Sequence, residues 1–154
     1  SEILFGKKLY LYKKSVVISP FHLAIPVDNL ESCSRFYIDI LGCKTGRSDS
    51  HWIDLNLFGH QLVLHFDPNH ISKKHHNDVD GKSVPIPHFG VLLDWITFKD
   101  FAVHLKEKKV DFVIEPYLRF EGLAGEQMTM FFYDPAGNAL EFKSFKNKNQ
   151  IFAT

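Results

Sequence analysis

A chain of 154 residues with 18 basic and 18 acidic side chains carries no net field to draw it onto nucleic acid or an anionic membrane, so its expected partner is a small molecule. Its hydrophobic content of 45%, with 15 phenylalanines, suffices for a sizeable core, and no apolar run approaches the ~20 residues of a membrane span. Two cysteines, Cys33 and Cys43, and no recognisable secretory leader predict a reduced, cytoplasmic protein rather than a disulfide-stapled one.

In chain order, residues 1–16 alternate Leu9 and Leu11 with lysines and read as an N-terminal arm. Val17 to Val27 reads as a strand that ends at Pro26 and at Asp28-Asn29, a helix cap. Leu30, Cys33, Phe36, Tyr37, Ile40 and Leu41 fall at helical spacing, and Gly42 ends the helix. Strands follow at Lys44 to Arg47, His51 to Phe58 and His60 to Phe66, which makes a βαβββ module over residues 17–67.

The polar stretch of residues 68–85, with His70, His75 and His76, reads as a solvated linker. The order of elements then repeats over residues 86–146. A strand from Ile86 to Leu93 is followed by a helix from about Thr97 to Lys108 and a strand from Asp111 to Glu115. After a loop over Pro116 to Gly125 come a strand from Glu126 to Tyr133, a turn at Asp134 to Gly137 and a strand from Asn138 to Phe145. Residues 147–154 form a tail. The expected architecture is α+β: two tandem βαβββ modules in a curved, partly open mixed sheet around a metal site, with helices on the outer face.

The repeat places chemistry. His22-Leu-Ala-Ile-Pro-Val-Asp28 and His88-Phe-Gly-Val-Leu-Leu-Asp94 open equivalent strands, each with its histidine on the face of a small residue and bulky neighbours opposite. In the last strand Glu141 shares the face of Ala139, opposite Leu140 and Phe142. Two imidazoles and a carboxylate form the facial set typical of non-haem Fe(II), which leaves positions open for substrate and O2. Fe(II) is the favoured ion, with Mn(II), Zn(II) and Ni(II) as alternatives that composition does not separate.

Together with Arg35-Phe-Tyr-Ile-Asp-Ile-Leu-Gly42, Pro87-His88-Phe-Gly90 and Phe132-Tyr-Asp-Pro-Ala-Gly-Asn-Ala-Leu-Glu141, these motifs resemble the vicinal oxygen chelate superfamily over residues 17–145. That superfamily includes glyoxalase I, extradiol dioxygenases, fosfomycin-resistance thiol transferases, epimerases and bleomycin-resistance proteins. The resemblance implies that His22, His88 and Glu141 are metal ligands and is strongest to predicted small extradiol-type dioxygenases. Val63 or Leu64 stands where four-ligand members carry a Glu or Gln, so three protein ligands are expected. His65 resembles the histidine that handles the substrate proton in extradiol enzymes. Phe131 stands where those enzymes place a tyrosine, with Tyr133 two residues on along the same face.

Face and loop position add Gln127, Thr129, Asn56 and Arg119 as substrate-binding candidates, Arg119 for a carboxylate or phenolate. The implied function is an Fe(II) extradiol-type dioxygenase acting on a small vicinal diol or catechol, in a homodimer whose paired modules extend the sheet. A glyoxalase, epimerase or thiol-transferase reaction and a bleomycin-resistance-like binding role are the alternatives.

Overall fold

Alternation decides the first strand, β1 (His22–Val27): Leu23, Ile25 and Val27 turn inward while His22, Ala24 and Pro26 lie exposed. A computed structural model describes residues 18–154, so the expected N-terminal arm and the start of the predicted strand at Val17 lie outside the described residues. Asn29 caps α1 (Leu30–Arg35), its side chain accepting from the Ser32 amide. The predicted helix continues, but as a π turn over Phe36–Ile40. That turn seats Phe36 and Tyr37 in the core.

β2 (Lys44–Ser48), β3 (Trp52–Leu57) and β4 (His60–Phe66) complete the first sheet in the order β1-β4-β3-β2. β1 runs parallel to β4 with His22 beside Gln61 and Ala24 beside Val63. The remaining neighbours are antiparallel.

The stretch read as a linker is not structureless. It holds a hairpin of β5 (His75–Val79) and β6 (Lys82–Ile86). Asp80 and Gly81 at its tip both have positive φ, 52° and 69°, which is the two-residue turn that matches strand twist.

The second module repeats the first. β7 (His88–Phe89), β10 (Ala139–Phe145), β9 (Gln127–Tyr133) and β8 (Phe112–Arg119) form a second mixed sheet in that order, with β7 parallel to β10. β7 is shorter than the predicted strand, although a bridge between Leu92 and Lys143 resumes the pairing. Between these contacts Gly90 crosses the Glu141 backbone so closely that a Cβ there would overlap the Glu141 carbonyl oxygen. β8 runs on through residues expected as a loop. It is an edge strand with register shifts around Ile114 and Tyr117, and these absorb Pro116.

Asp94 caps α2 (Trp95–Glu107), which starts two residues before the predicted helix. The tail includes a short 3-10 turn over Lys148–Gln150.

Each module therefore builds its own four-stranded mixed sheet, and no closed barrel forms among the described residues. One core joins the inward faces of both sheets to both helices: Phe36 lies edge-on to Phe132, and Phe58 to Phe101 and Phe142. Full burial of Tyr37, Phe98, Phe132 and Phe142 contributes on the order of 1.5–3 kcal/mol each. A polar clasp crosses the same seam. The Tyr37 hydroxyl donates to Asp134 at 2.9 Å, and Asp134 also accepts from the Ala136 and Asn138 amides.

Candidate metal centre

Parallel pairing sets the site. β7 brings His88 beside Ala139, two residues before Glu141, and antiparallel pairing sets Glu141 beside Phe131 and Lys143 beside Thr129. The side chains of His88, Glu141 and Thr129 meet on the face of this sheet opposite the helices. His88 Nε2 lies 2.9 Å from Glu141 Oε2, and the Thr129 hydroxyl donates to Oε1 at 2.6 Å. Lys143 Nζ is 3.7 Å from the same oxygen. The Glu141 side chain is 11% exposed and that of His88 28%.

The second imidazole nitrogen is held as well. His88 Nδ1 lies 2.7 Å from the Pro85 carbonyl, an acceptor, so Nδ1 carries a proton and Nε2 is the nitrogen offered to Glu141. The ring stands edge-on to Phe131, with centroids 5.1 Å apart. The hydrogen bond to Glu141 raises the His88 pKa from its ordinary value, against the opposing effect of burial. Burial pushes Glu141 upward, but the hydrogen bonds from His88 and Thr129 outweigh it and leave the carboxyl below its ordinary value. Each group thus favours the charged form of the other.

Its donor chemistry fits a divalent ion. A histidine whose Nδ1 is fixed by a backbone carbonyl while Nε2 converges on a hydrogen-bonded carboxylate has the supporting contacts that orient metal ligands. Thr129, expected to touch substrate, instead anchors Glu141.

His22 is not gathered with this pair. It lies on the exposed face of the first sheet, with Nδ1 2.7 Å from Oε1 of its register partner Gln61. Among the described residues no group of three His, Cys, Asp or Glu side chains is placed to hold a metal ion. His65 and Asn56 also belong to the first sheet: His65 is exposed beside Trp52, and the Asn56 side chain accepts from the Gly59 amide at the β3–β4 turn. Register explains the asymmetry between modules. Val63 follows Gln61 by two residues as Glu141 follows Ala139, so an apolar side chain stands where the second sheet carries its carboxylate.

Phe131, Arg119 and Tyr133 meet the β5–β6 hairpin, which covers the β8 and β9 side of the second sheet. Phe131 packs with Ile114 and with Val84 of the hairpin. Arg119 is paired with Asp80 at the hairpin tip, and Lys82 lies over the Tyr117 ring. The Tyr133 hydroxyl is 3.4 Å from His76 Nε2, with Lys74 Nζ 4.7 Å from its ring centroid. Gln127 is buried at the far end of β9, its amide nitrogen donating to the Gly125 carbonyl.

Sequence reasoning missed this cover and the Pro85 carbonyl it supplies. The Asp80-Gly81 pair, a strong hairpin signal, could have revealed both. Both cysteines are buried, and burial pushes the Cys33 thiol up to about 11 and the Cys43 thiol up to about 12. No helix among the described residues is long and apolar enough to cross a membrane.

Residues 19–142 match the model of the Glyoxalase/Bleomycin resistance protein/Dioxygenase superfamily. A comparison with curated protein sequences found no match. Among solved structures, a glyoxalase/bleomycin resistance protein/dioxygenase from Alicyclobacillus acidocaldarius is 32% identical, with 87% of this chain and 96% of that one covered and a TM-score of 0.73. A lactoylglutathione lyase from Agrobacterium tumefaciens is 18% identical, with 86% and 96% covered and a TM-score of 0.61. A genomically encoded fosfomycin resistance protein from Listeria monocytogenes is 14% identical, with 88% and 98% covered and a TM-score of 0.61. At the last two identities the likeness is one of fold.

Proposed function

The chain belongs to the Glyoxalase/Bleomycin resistance protein/Dioxygenase superfamily, and from that premise we propose that it is a divalent-metal enzyme acting on a small molecule through two vicinal oxygens, with Fe(II)-dependent ring or bond cleavage by O2 as its reaction. The observation that carries the reading is the convergence of His88 Nε2 and Glu141 Oε2 at 2.9 Å, each group fixed from behind by Pro85 or Thr129. His88 and Glu141 would hold the ion. His22 is the third ligand, supplied by a second copy of the chain in a homodimer, because within one chain it stays on the exposed face of the other sheet.

A bound divalent ion supplies Lewis acidity toward the substrate oxygens and, as Fe(II), a route for electrons to O2. The protein's part is positional. Pro85 keeps the His88 proton on Nδ1, Thr129 directs one carboxylate oxygen, and the hairpin excludes water from the β8 and β9 side while the β7 side stays open. Phe131 gives the site an apolar wall with no phenol.

The test is oxygen uptake after anaerobic loading with Fe(II), screened against catechols and aliphatic vicinal diols. Uptake with at least one substrate, abolished in Glu141→Ala, is expected. Turnover that proceeds without O2 would move the protein to the isomerase and thiol-transferase side of its superfamily. Mixing inactive His22→Ala and Glu141→Ala chains tests the shared site: each mixed dimer regains one intact ligand set, so about a quarter of the wild-type activity should return on statistical pairing. No recovery in chains shown to exchange would place His22 outside the site.

One observation favours a second reading. His88 and Glu141 already satisfy each other, as they would in a binding protein that needs no ion. Wild-type protein that takes up no divalent metal would favour that role.

A further inference from the structure

The β5–β6 hairpin is a sheet of its own: its strands pair with each other and with no strand of the two four-stranded sheets. A lone two-stranded hairpin is marginally stable in water, so side chains that tie it to its surroundings decide where it sits. β5 is exposed along its whole length. The firm ties come from the tip and from β6. Asp80 pairs with Arg119 Nε at 2.5 Å, Lys82 lies over the Tyr117 ring, Val84 packs on Ile114 and Phe131, and the Pro85 carbonyl accepts from His88 Nδ1 at 2.7 Å.

Two of these ties end on the candidate metal centre. Pro85 holds the His88 ring directly, and Phe131, on which Val84 packs, stands edge-on to the same ring. The opposite end of the hairpin is held by the charge pair. The Arg119 side chain is only 16% exposed, so water screens this pair less than an ion pair on the open surface. β6, five residues and roughly 17 Å long, joins the two ends.

We infer that Asp80 and Arg119 are positioning residues of the candidate metal centre: by latching the tip of the hairpin they keep its base, the Pro85 carbonyl, on His88. Arg119, expected from the sequence to bind substrate, acts instead through the hairpin. That the latch also raises metal affinity rests on the reading of His88 as a ligand. An unlatched hairpin leaves the His88 ring unheld, and the apparent affinity falls with the fraction of chains that are closed.

The test uses the full-length chain and Asp80→Asn, which removes the charge and suits the positive-φ turn. In metal-free protein, amide exchange over residues 75–86 should accelerate by about tenfold while α1 and α2 keep their protection. The NMR resonance of the His88 Nδ1 proton, visible in the unmodified chain because Pro85 slows its exchange, should broaden in Asp80→Asn and in Arg119→Gln. Arg119→Lys, which keeps the charge, should restore it. With Zn(II) as probe, competition titration should show about threefold weaker binding in Asp80→Asn and Arg119→Gln. Unchanged hairpin exchange in Asp80→Asn would overturn the inference, as would faster exchange with the Nδ1 resonance unaltered. A chain that binds no Zn(II) would refute the metal reading alone, because the Nδ1 resonance reports the latch without any ion.

Discussion

Strand parity predicts which way single side chains face, and it does so both for His88 and Glu141, which meet, and for His22, which does not join them. His88 and Glu141 share the face that alternation assigned them and meet there. His22 also faces as expected, away from Leu23 and Ile25, yet it stays apart because alternation within a strand says nothing about how two sheets are placed. The role of Thr129 was equally hidden. Its face was legible, but its bond to Glu141 depends on the register between β9 and β10. Thr129→Val keeps the shape and removes that donor. Metal affinity in a competition titration should then fall by about tenfold, the usual scale for losing a contact behind a ligand, while the circular dichroism spectrum is unchanged. Equal affinity would mean that Thr129 serves packing alone.

At the scale of elements, the hairpin covers one side of the site and the Gly90 crossing fixes the backbone at Glu141. The hairpin reads as a linker because its exposed strand, His75 to Val79, is polar up to its last residue, while the two buried residues that attach it, Val84 and Pro85, lie next to one another and break the alternation. The π turn after α1 and the bulges in β8 left no sequence signal either, since both are set by what packs against them. Val84→Asp puts a charge against Ile114 and Phe131, and this should cost roughly 2 kcal/mol or more. Amide exchange in residues 75–86 should accelerate by at least tenfold while α1 and α2 keep their protection. Gly90→Ala acts from the other side. Its Cβ displaces the Glu141 backbone, so metal binding should be lost along with part of the stability.

Over the whole molecule, the repeat predicts two modules, and the packing makes them one folding unit. The order of elements, the two sheets and the apolar faces of both helices were legible because each follows from local periodicity. Their union was not, because it rests on contacts far apart in sequence, such as Tyr37 with Asp134 and His104 with the Ile40 carbonyl. Each module carries one tryptophan, Trp52 in the first and Trp95 in the second. Urea unfolding followed by either one, in single-tryptophan variants, should give coincident transitions, and Tyr37→Phe should lower stability by about 1–3 kcal/mol in both. Two separated transitions would mean that the modules fold independently.

Whether His88 and Glu141 hold a divalent ion is decided by metal content. Protein without an affinity tag, incubated anaerobically with one equivalent of Fe(II) and freed of excess, should retain close to one ion per chain by elemental analysis. His88→Ala and Glu141→Ala should retain only background amounts. Retention in both variants equal to that of the unmodified chain, or none in the unmodified chain itself, would mean that His88 and Glu141 are not metal ligands.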